Sequence, residues 1–247
     1  MKKNGFRLAS LLLIFCLVAG CFSFSSIRSS DRLSHSSATE TVPEWTVVLD
    51  AGHGGEDGGA VSSSGVFEKD VNLSITLKLN ELLRANGTST VLTRSEDILL
   101  YDKTVDYHGR KKALDLAARR KIAEETPNCI FVSIHLNAFP QSQYSGLQVW
   151  YSQNTPASLT LAQTVQKMTA EQLQPQNDRR IKPATSSIYL LHHLQCPAIL
   201  VECGFLSNPE EASLLSSEDY QNKLAFLLFL AISDGITKIS PEFTANP

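Results

Sequence analysis

Five short runs of apolar, β-branched residues punctuate the chain, at Thr46 to Leu49, Thr88 to Thr93, Cys129 to Ile134, Leu147 to Tyr151 and Ala198 to Val201. Each has the length of a strand and is too short for a helix. Between them the period changes. From Lys69 onward Val71, Ile75, Leu79, Leu82 and Leu83 fall on one helical face, and Asn86-Gly87 supplies a stop. Lys111 to Glu125 is Ala-rich and charged and reads as a second helix. A third opens at Pro156, with Leu161, Val165 and Met168 inward. The last, from Glu218 to about Ile236, contains "LAFLLFLAI", which is apolar all round and too short to span a bilayer, so it is expected to be a buried core helix. Strands separated by helices require an α/β fold: a single domain built on a mainly parallel, mixed sheet with helices on both faces.

The N-terminal part does not share this pattern. Lys2, Lys3 and Arg7 precede "LASLLLIFCLVAG", an apolar run with a basic head, so residues 1–21 read as an export signal or a membrane anchor. "VAGC", Val18 to Cys21, resembles a lipobox, in which Cys21 is lipidated after cleavage. Residues 22–44 are Ser-rich and lack an apolar period, as a tether does. The body, residues 45–240, is therefore expected to be exported and extracytoplasmic, meeting the membrane only through this anchor or lipid. Its net charge excludes one class of partner. The whole chain carries −3, and loss of Lys2, Lys3 and Arg7 leaves 19 basic against 25 acidic residues, an acidic balance that argues against nucleic acid. Cys129, Cys196 and Cys203 are odd in number and form no CxxC pair, which gives neither a disulfide framework nor a thiolate metal site.

In open α/β sheets ligands bind outside the carboxyl ends of the strands. Three apolar runs end there in a side chain able to bind metal or carry a proton: "VVLDAG" before His53, "IFVSI" before His135, and "AILV" before Glu202. Two histidines with a carboxylate are one of the ligand sets of catalytic zinc, which keeps a fourth position open. Spacing leaves the third ligand among Asp50, Glu56, Asp57, Glu68 and Asp70. Glu68 has a physical advantage, because it stands just before the helix that begins near Lys69, where the positive end of the helix dipole favours a carboxylate.

The blocks "LDAGHGGEDGGA", "EKDVNL", "FVSIHLNA" and "LVECGFLSNPEE", in this order, resemble those of the zinc-dependent N-acetylmuramoyl-L-alanine amidases of the type 3 family. The likeness extends from about Val47 to Ile236 and includes "LTR" at Leu92 to Arg94 and Arg119; Glu124 departs from it, where the family often has Asn. It implies Zn2+ bound by His53, Glu68 and His135, with Glu202 as catalytic acid/base. The implied reaction is hydrolysis of the amide between the lactyl group of N-acetylmuramic acid and L-alanine of the stem peptide in peptidoglycan. Asn137 and Arg180 are then candidates for substrate contact, and Asp50 is the nearest acceptor able to hold a ligating imidazole. The body without inhibitory insert or wall-binding repeats resembles the germination-specific amidases of spore formers, acting in spore cortex or wall remodelling. A regulatory protein partner is compatible with that.

Other chemistries fit less well. Cys203 beside Glu202 suits a thiol nucleophile only if it faces the site, whereas neighbours on a strand face opposite ways. "GHGGED" begins like a dinucleotide-binding glycine loop but carries Asp57 at its last position, and no G-K-[ST] occurs. A non-catalytic wall-binding module shares the export signal but has no need of Glu202 beside a metal.

Overall fold

The computed structural model describes residues 44–102, 104 and 108–244. The expected signal, lipobox and tether fall on residues 1–44, of which all but Glu44 lie outside the described residues. No helix among the described residues is long and apolar enough to cross a membrane.

Six strands form one sheet: β1 (Thr46–Ala51), β2 (Ser89–Leu92), β3 (Cys129–Asn137), β4 (Gln148–Tyr151), β5 (Lys182–Pro183) and β6 (Ala198–Phe205). Their spatial order is β2-β1-β3-β6-β4-β5. All neighbouring pairs are parallel except β4 with β6, so the sheet is mainly parallel and mixed. The helices are α1 (Glu68–Ala85), α2 (Lys111–Glu125), α3 (Pro156–Gln172), α4 (Tyr189–His193), α5 (Pro209–Ser216) and α6 (Glu218–Thr244).

Strand alternation divides the core between two faces. Val47, Leu49, Ile130, Val132, Ile199 and Val201 pack with the apolar stripes of α1, α3 and α6. Val48, Phe131 and Ala198, one residue out of phase, pack with α2 and the short α4. Cys203 is fully buried on the first face, as its alternation with Glu202 requires. One expectation needs correction: α6 is not buried all round, because Phe226 and Leu230, one turn apart, are 48% and 37% exposed. The helix lies on the outside of its layer and buries one stripe only.

Helix α2 presents a mixed face, with Leu116, Ile122 and Ala123 joining the second cluster. Its buried stripe is Asp115, Arg119 and Ala123, spaced by four. Asp115 and Arg119 cover a polar region instead, where Arg119 reaches Asp50 and the carbonyl of Ala51 at the end of β1.

Candidate active site

His53 follows β1, His135 lies near the end of β3, and Glu68 opens α1. One donor atom from each lies within 4.8 Å of the others. Oε1 of Glu68 is 3.2 Å from Nε2 of His53 and 3.0 Å from Nδ1 of His135. The two rings stand edge to face with centroids 5.0 Å apart. The expected trio thus meets, and Glu68 is the acid that completes it.

The carboxylate is fixed from several sides. Its Oε2 accepts from the amide of Ala60 at 2.8 Å, and its Oε1 from the amide of Leu136 at 3.0 Å and from Nδ2 of Asn72 at 3.3 Å. Burial pushes the Glu68 carboxyl up, but the His135 and His53 rings outweigh it and hold it well below the usual range. The converse applies to His53, whose loss of solvent is outweighed by Glu68 and then Asp57, so its pKa is raised. Both shifts describe a place where positive charge between these groups is stabilised.

His53 sits in the left-handed region, with φ at 62°, a conformation that non-glycine residues rarely adopt. Two buried arginines hold the chain there. Arg94 donates to the carbonyls of Ala51 at 2.8 Å and Gly52 at 3.0 Å. Arg119 donates to those of Ala51 at 2.7 Å and His53 at 2.6 Å. Asp50 belongs to this clamp. Its Oδ1 accepts from Arg119 and from Thr93, both at 2.7 Å, and its Oδ2 from Ser133 at 2.6 Å.

The expectation that Asp50 holds an imidazole is therefore corrected. The acid beside a ring is Asp57, whose Oδ2 lies 2.9 Å from Nδ1 of His53, off the ring's N–H direction, so that the nitrogen has no aligned partner. Asp57 arrives there because the chain doubles back, with Gly54 and Asp57 exchanging backbone hydrogen bonds of 2.9 and 3.0 Å.

Glu202 stands beside His135, its rung partner on β3, and beside Gln148 on β4. The residue is partly exposed, yet its Oε2 is sealed from solvent and makes no hydrogen bond. Burial is the largest influence on it; the His135 ring opposes and the negative Glu68 reinforces, and the pKa is pushed up to about 7. A carboxyl near neutrality can both take and give a proton at ordinary pH.

A family model described as N-acetylmuramoyl-L-alanine amidase matches residues 47–237. The chain belongs to that family. A germination-specific N-acetylmuramoyl-L-alanine amidase of Bacillus subtilis (strain 168) is 36% identical to it over 186 residues, 75% of this chain and 77% of the relative. The structure of the CwlD amidase from Clostridioides difficile, in complex with the GerS lipoprotein, has a TM-score of 0.74 at 40% identity, covering 78% of this chain and 98% of that one. AmiC2 of Nostoc punctiforme gives 0.66 at 31% identity, over 79% and 98%. The amidase therefore acts on peptidoglycan, at the bond between N-acetylmuramic acid and L-alanine.

The remaining expected residues border this centre. Asn137 ends β3 two residues beyond His135 and pairs with Phe205. Arg180 is exposed and its carbonyl accepts from Nε2 of Gln148 at 2.7 Å. Sequence reasoning passed over Asp57 as a partner of His53, and Asn72, which lies one turn after Glu68 inside "EKDVNL" and also donates to the carbonyl of Gly52 at 3.2 Å. The signal for Asn72 was its i, i+4 spacing from Glu68 on one helix face.

Proposed function

We propose that this amidase is zinc-dependent, with His53, Glu68 and His135 as metal ligands and Glu202 as the catalytic acid/base. The observation that carries the reading is the meeting of two imidazoles and one carboxylate, donor atoms within 4.8 Å, next to a carboxyl whose sealed oxygen has no partner. The donor set is one that catalytic zinc uses while retaining an open position. The pKa directions of Glu68 and His53 favour a cation between them.

Zinc bound there supplies Lewis acidity, polarising the amide carbonyl and lowering the pKa of a water from 15.7 to about 7. The residues of the chain do the rest. Glu202 takes a proton from the attacking water and passes it to the departing nitrogen of alanine, which leaves poorly as an anion. The amides of Ala60 and Leu136 keep the Glu68 carboxylate in place as charge moves nearby. Asn137, two residues beyond His135, orients a substrate carbonyl, and Arg180 contributes positive charge at the edge of the site.

The cellular setting follows the relatives. The Bacillus subtilis relative is a germination-specific amidase, which supports a role in spore cortex, with vegetative wall remodelling as the alternative. The basic-headed apolar segment at residues 1–21 supports an exported protein attached to the membrane by that segment or by a lipid on Cys21. The GerS lipoprotein bound to the Clostridioides difficile relative supports a protein partner here as well.

The test is release of new L-alanine amino termini from purified peptidoglycan, with and without added zinc. Zinc-dependent release that disappears in Glu202→Ala, and loss of bound metal in His53→Ala, are the expected results. Absence of release under all metal and partner conditions favours a wall-binding module instead, and release unaffected by Glu202→Ala removes the acid/base role.

A further inference from the structure

A bulge in the β3–β6 ladder decides where the side chains beyond Glu202 point. His135 pairs with Glu202 and Asn137 with Phe205, so β6 uses one residue more than β3 between the two rungs. In an even strand a residue three places on faces the opposite side; the extra residue reverses this and returns Phe205 to the face of Glu202, two rungs farther along. Phe205 belongs to neither hydrophobic cluster. It is nonetheless only 3% exposed, with the guanidinium of Arg179 4.3 Å from its ring centroid and the half-exposed Tyr144 ring 6.4 Å away.

Arg179 is held mainly by uncharged partners, and the one carboxylate that feels its charge, Glu211, is already occupied by the amides of Gly146 and Phe205. The Nε of Arg179 donates to the carbonyl of Ser145 at 2.6 Å, and its amide donates to Oδ1 of Asn177 at 3.0 Å. Nδ2 of Asn177 is in turn tied to the carbonyl of Leu147 at 2.8 Å. The next residue, Arg180, is bound through its carbonyl to Gln148, the β4 partner of Glu202. Among the described residues Arg179 makes no ion pair. A guanidinium held 4.3 Å from an aromatic ring centroid and tethered through Nε has lost most of its rotamer freedom before any ligand arrives, and its two terminal nitrogens retain the fork that fits a carboxylate.

The spacing fits the substrate. Two rungs of a parallel ladder amount to about 7 Å, and an extended peptide covers about 7 Å in two residues. With the scissile bond at Glu202, the group that reaches Arg179 is borne by the residue after alanine. We propose that Arg179, on its bed of Phe205, binds the free carboxylate of the second residue of the stem peptide and makes the amidase select acidic stems over amidated ones. This assignment rests on the amidase reading and deepens it.

Two soluble muropeptides test it, one with a free carboxylate at the second stem residue and one with that group amidated. The protein is expected to cleave the acid more efficiently than the amide by about tenfold, the worth of one charge-assisted contact. Arg179→Gln is expected to bring the ratio close to one by raising KM for the acid, with kcat little changed; Arg179→Lys, which keeps the charge but not the fork, retains part of it. An equal fall on both substrates, as from a merely structural arginine, or a ratio preserved in Arg179→Gln, overturns the proposal. Calorimetric binding of both muropeptides to Glu202→Gln reads the same preference without turnover. Binding preference without hydrolysis by the unaltered protein counts against the amidase reading alone, and binding without preference counts against Arg179.

Discussion

Oδ2 of Asp57 lies 2.9 Å from Nδ1 of His53, on the opposite side of the ring from the nitrogen that meets Glu68. One imidazole is thus placed between two carboxylates, one facing the centre and one behind it. Burial pushes the Asp57 carboxyl up, but His53 outweighs it and holds it below its ordinary range, so Asp57 is charged at neutral pH.

A negative charge behind an imidazole raises its basicity as a metal ligand. Asp57→Asn is therefore expected to weaken metal binding by roughly 10- to 100-fold while leaving the fold intact. Competition with a chelator of known affinity measures it, and activity should return at excess metal. An affinity equal to that of the unaltered protein would show that the 2.9 Å approach contributes nothing.

His53, His135 and Glu202 were legible as neighbours because the apolar run of each central strand stops just before its candidate side chain, although β3 and β6 themselves continue to Asn137 and Phe205. Glu68 was legible from its place at a helix start. The partner of His53 was not. Asp50 lies within β1 whereas Asp57 comes four positions after His53 in the loop, and only the reversal at Gly54 and Asp57 brings the farther acid back. Nor does the run at Leu147 to Tyr151 reveal that β4 is antiparallel to β6, because a strand's direction is set by its connections and not by its own residues. The polar stripe of α2 was hidden for another reason: buried arginine is rare, so an Ala-rich charged helix reads as a solvated one.

Arg119 is 1% exposed and serves Asp50, Asp115 and the carbonyls of Ala51 and His53 together. Burial pulls its pKa down, but the charges of Asp50 and Asp115 outweigh that and secure the guanidinium as a cation. Arg119→Met removes the positive partner and leaves two buried carboxylates, at an expected cost of about 3–5 kcal/mol. Arg119→Lys keeps the charge but cannot reach all four acceptors, so it should also be clearly destabilised. Urea unfolding decides the matter, and a loss below about 1 kcal/mol in Arg119→Met would contradict the clamp.

Glu202 gives a pH dependence with a definite sign. Its folded pKa of about 7 exceeds the 4.5 of an ordinary glutamate, so the folded state holds the proton more tightly than the unfolded one. Stability then falls as pH rises from 4.5 toward 7, and above that window the charged carboxylate carries a penalty on the order of 3 kcal/mol, at about 1.4 kcal/mol per pH unit. Glu202→Gln cannot ionise. In metal-free protein it should be more stable than the unaltered chain at pH 8 and nearly equal at pH 4.5, although its kcat falls by about 10²- to 10⁴-fold. Denaturant midpoints at the two pH values test the sign; a difference that shrinks with rising pH would reverse the assignment.

Gly59 shows what the glycines after His53 accomplish. Its φ is +66°, and a Cβ there would stand 2.5 Å from Oε2 of Glu68 and 2.8 Å from Cδ2 of His53. The obstacle is the Glu68–His53 pair proposed to hold the metal, which cannot yield without losing its geometry. Gly65 is the control, since its φ is +85° and a Cβ would meet nothing within 4 Å. Both alanine variants bear the left-handed backbone cost of roughly 1 kcal/mol, but only Gly59→Ala forces the carboxylate and ring apart. Gly59→Ala is expected to lose at least about tenfold in metal affinity, by analogy with displaced ligand supports, whereas Gly65→Ala loses stability alone. Metal titration of the two variants separates these effects, and equal affinities would mean that the turn is glycine-rich for backbone reasons only.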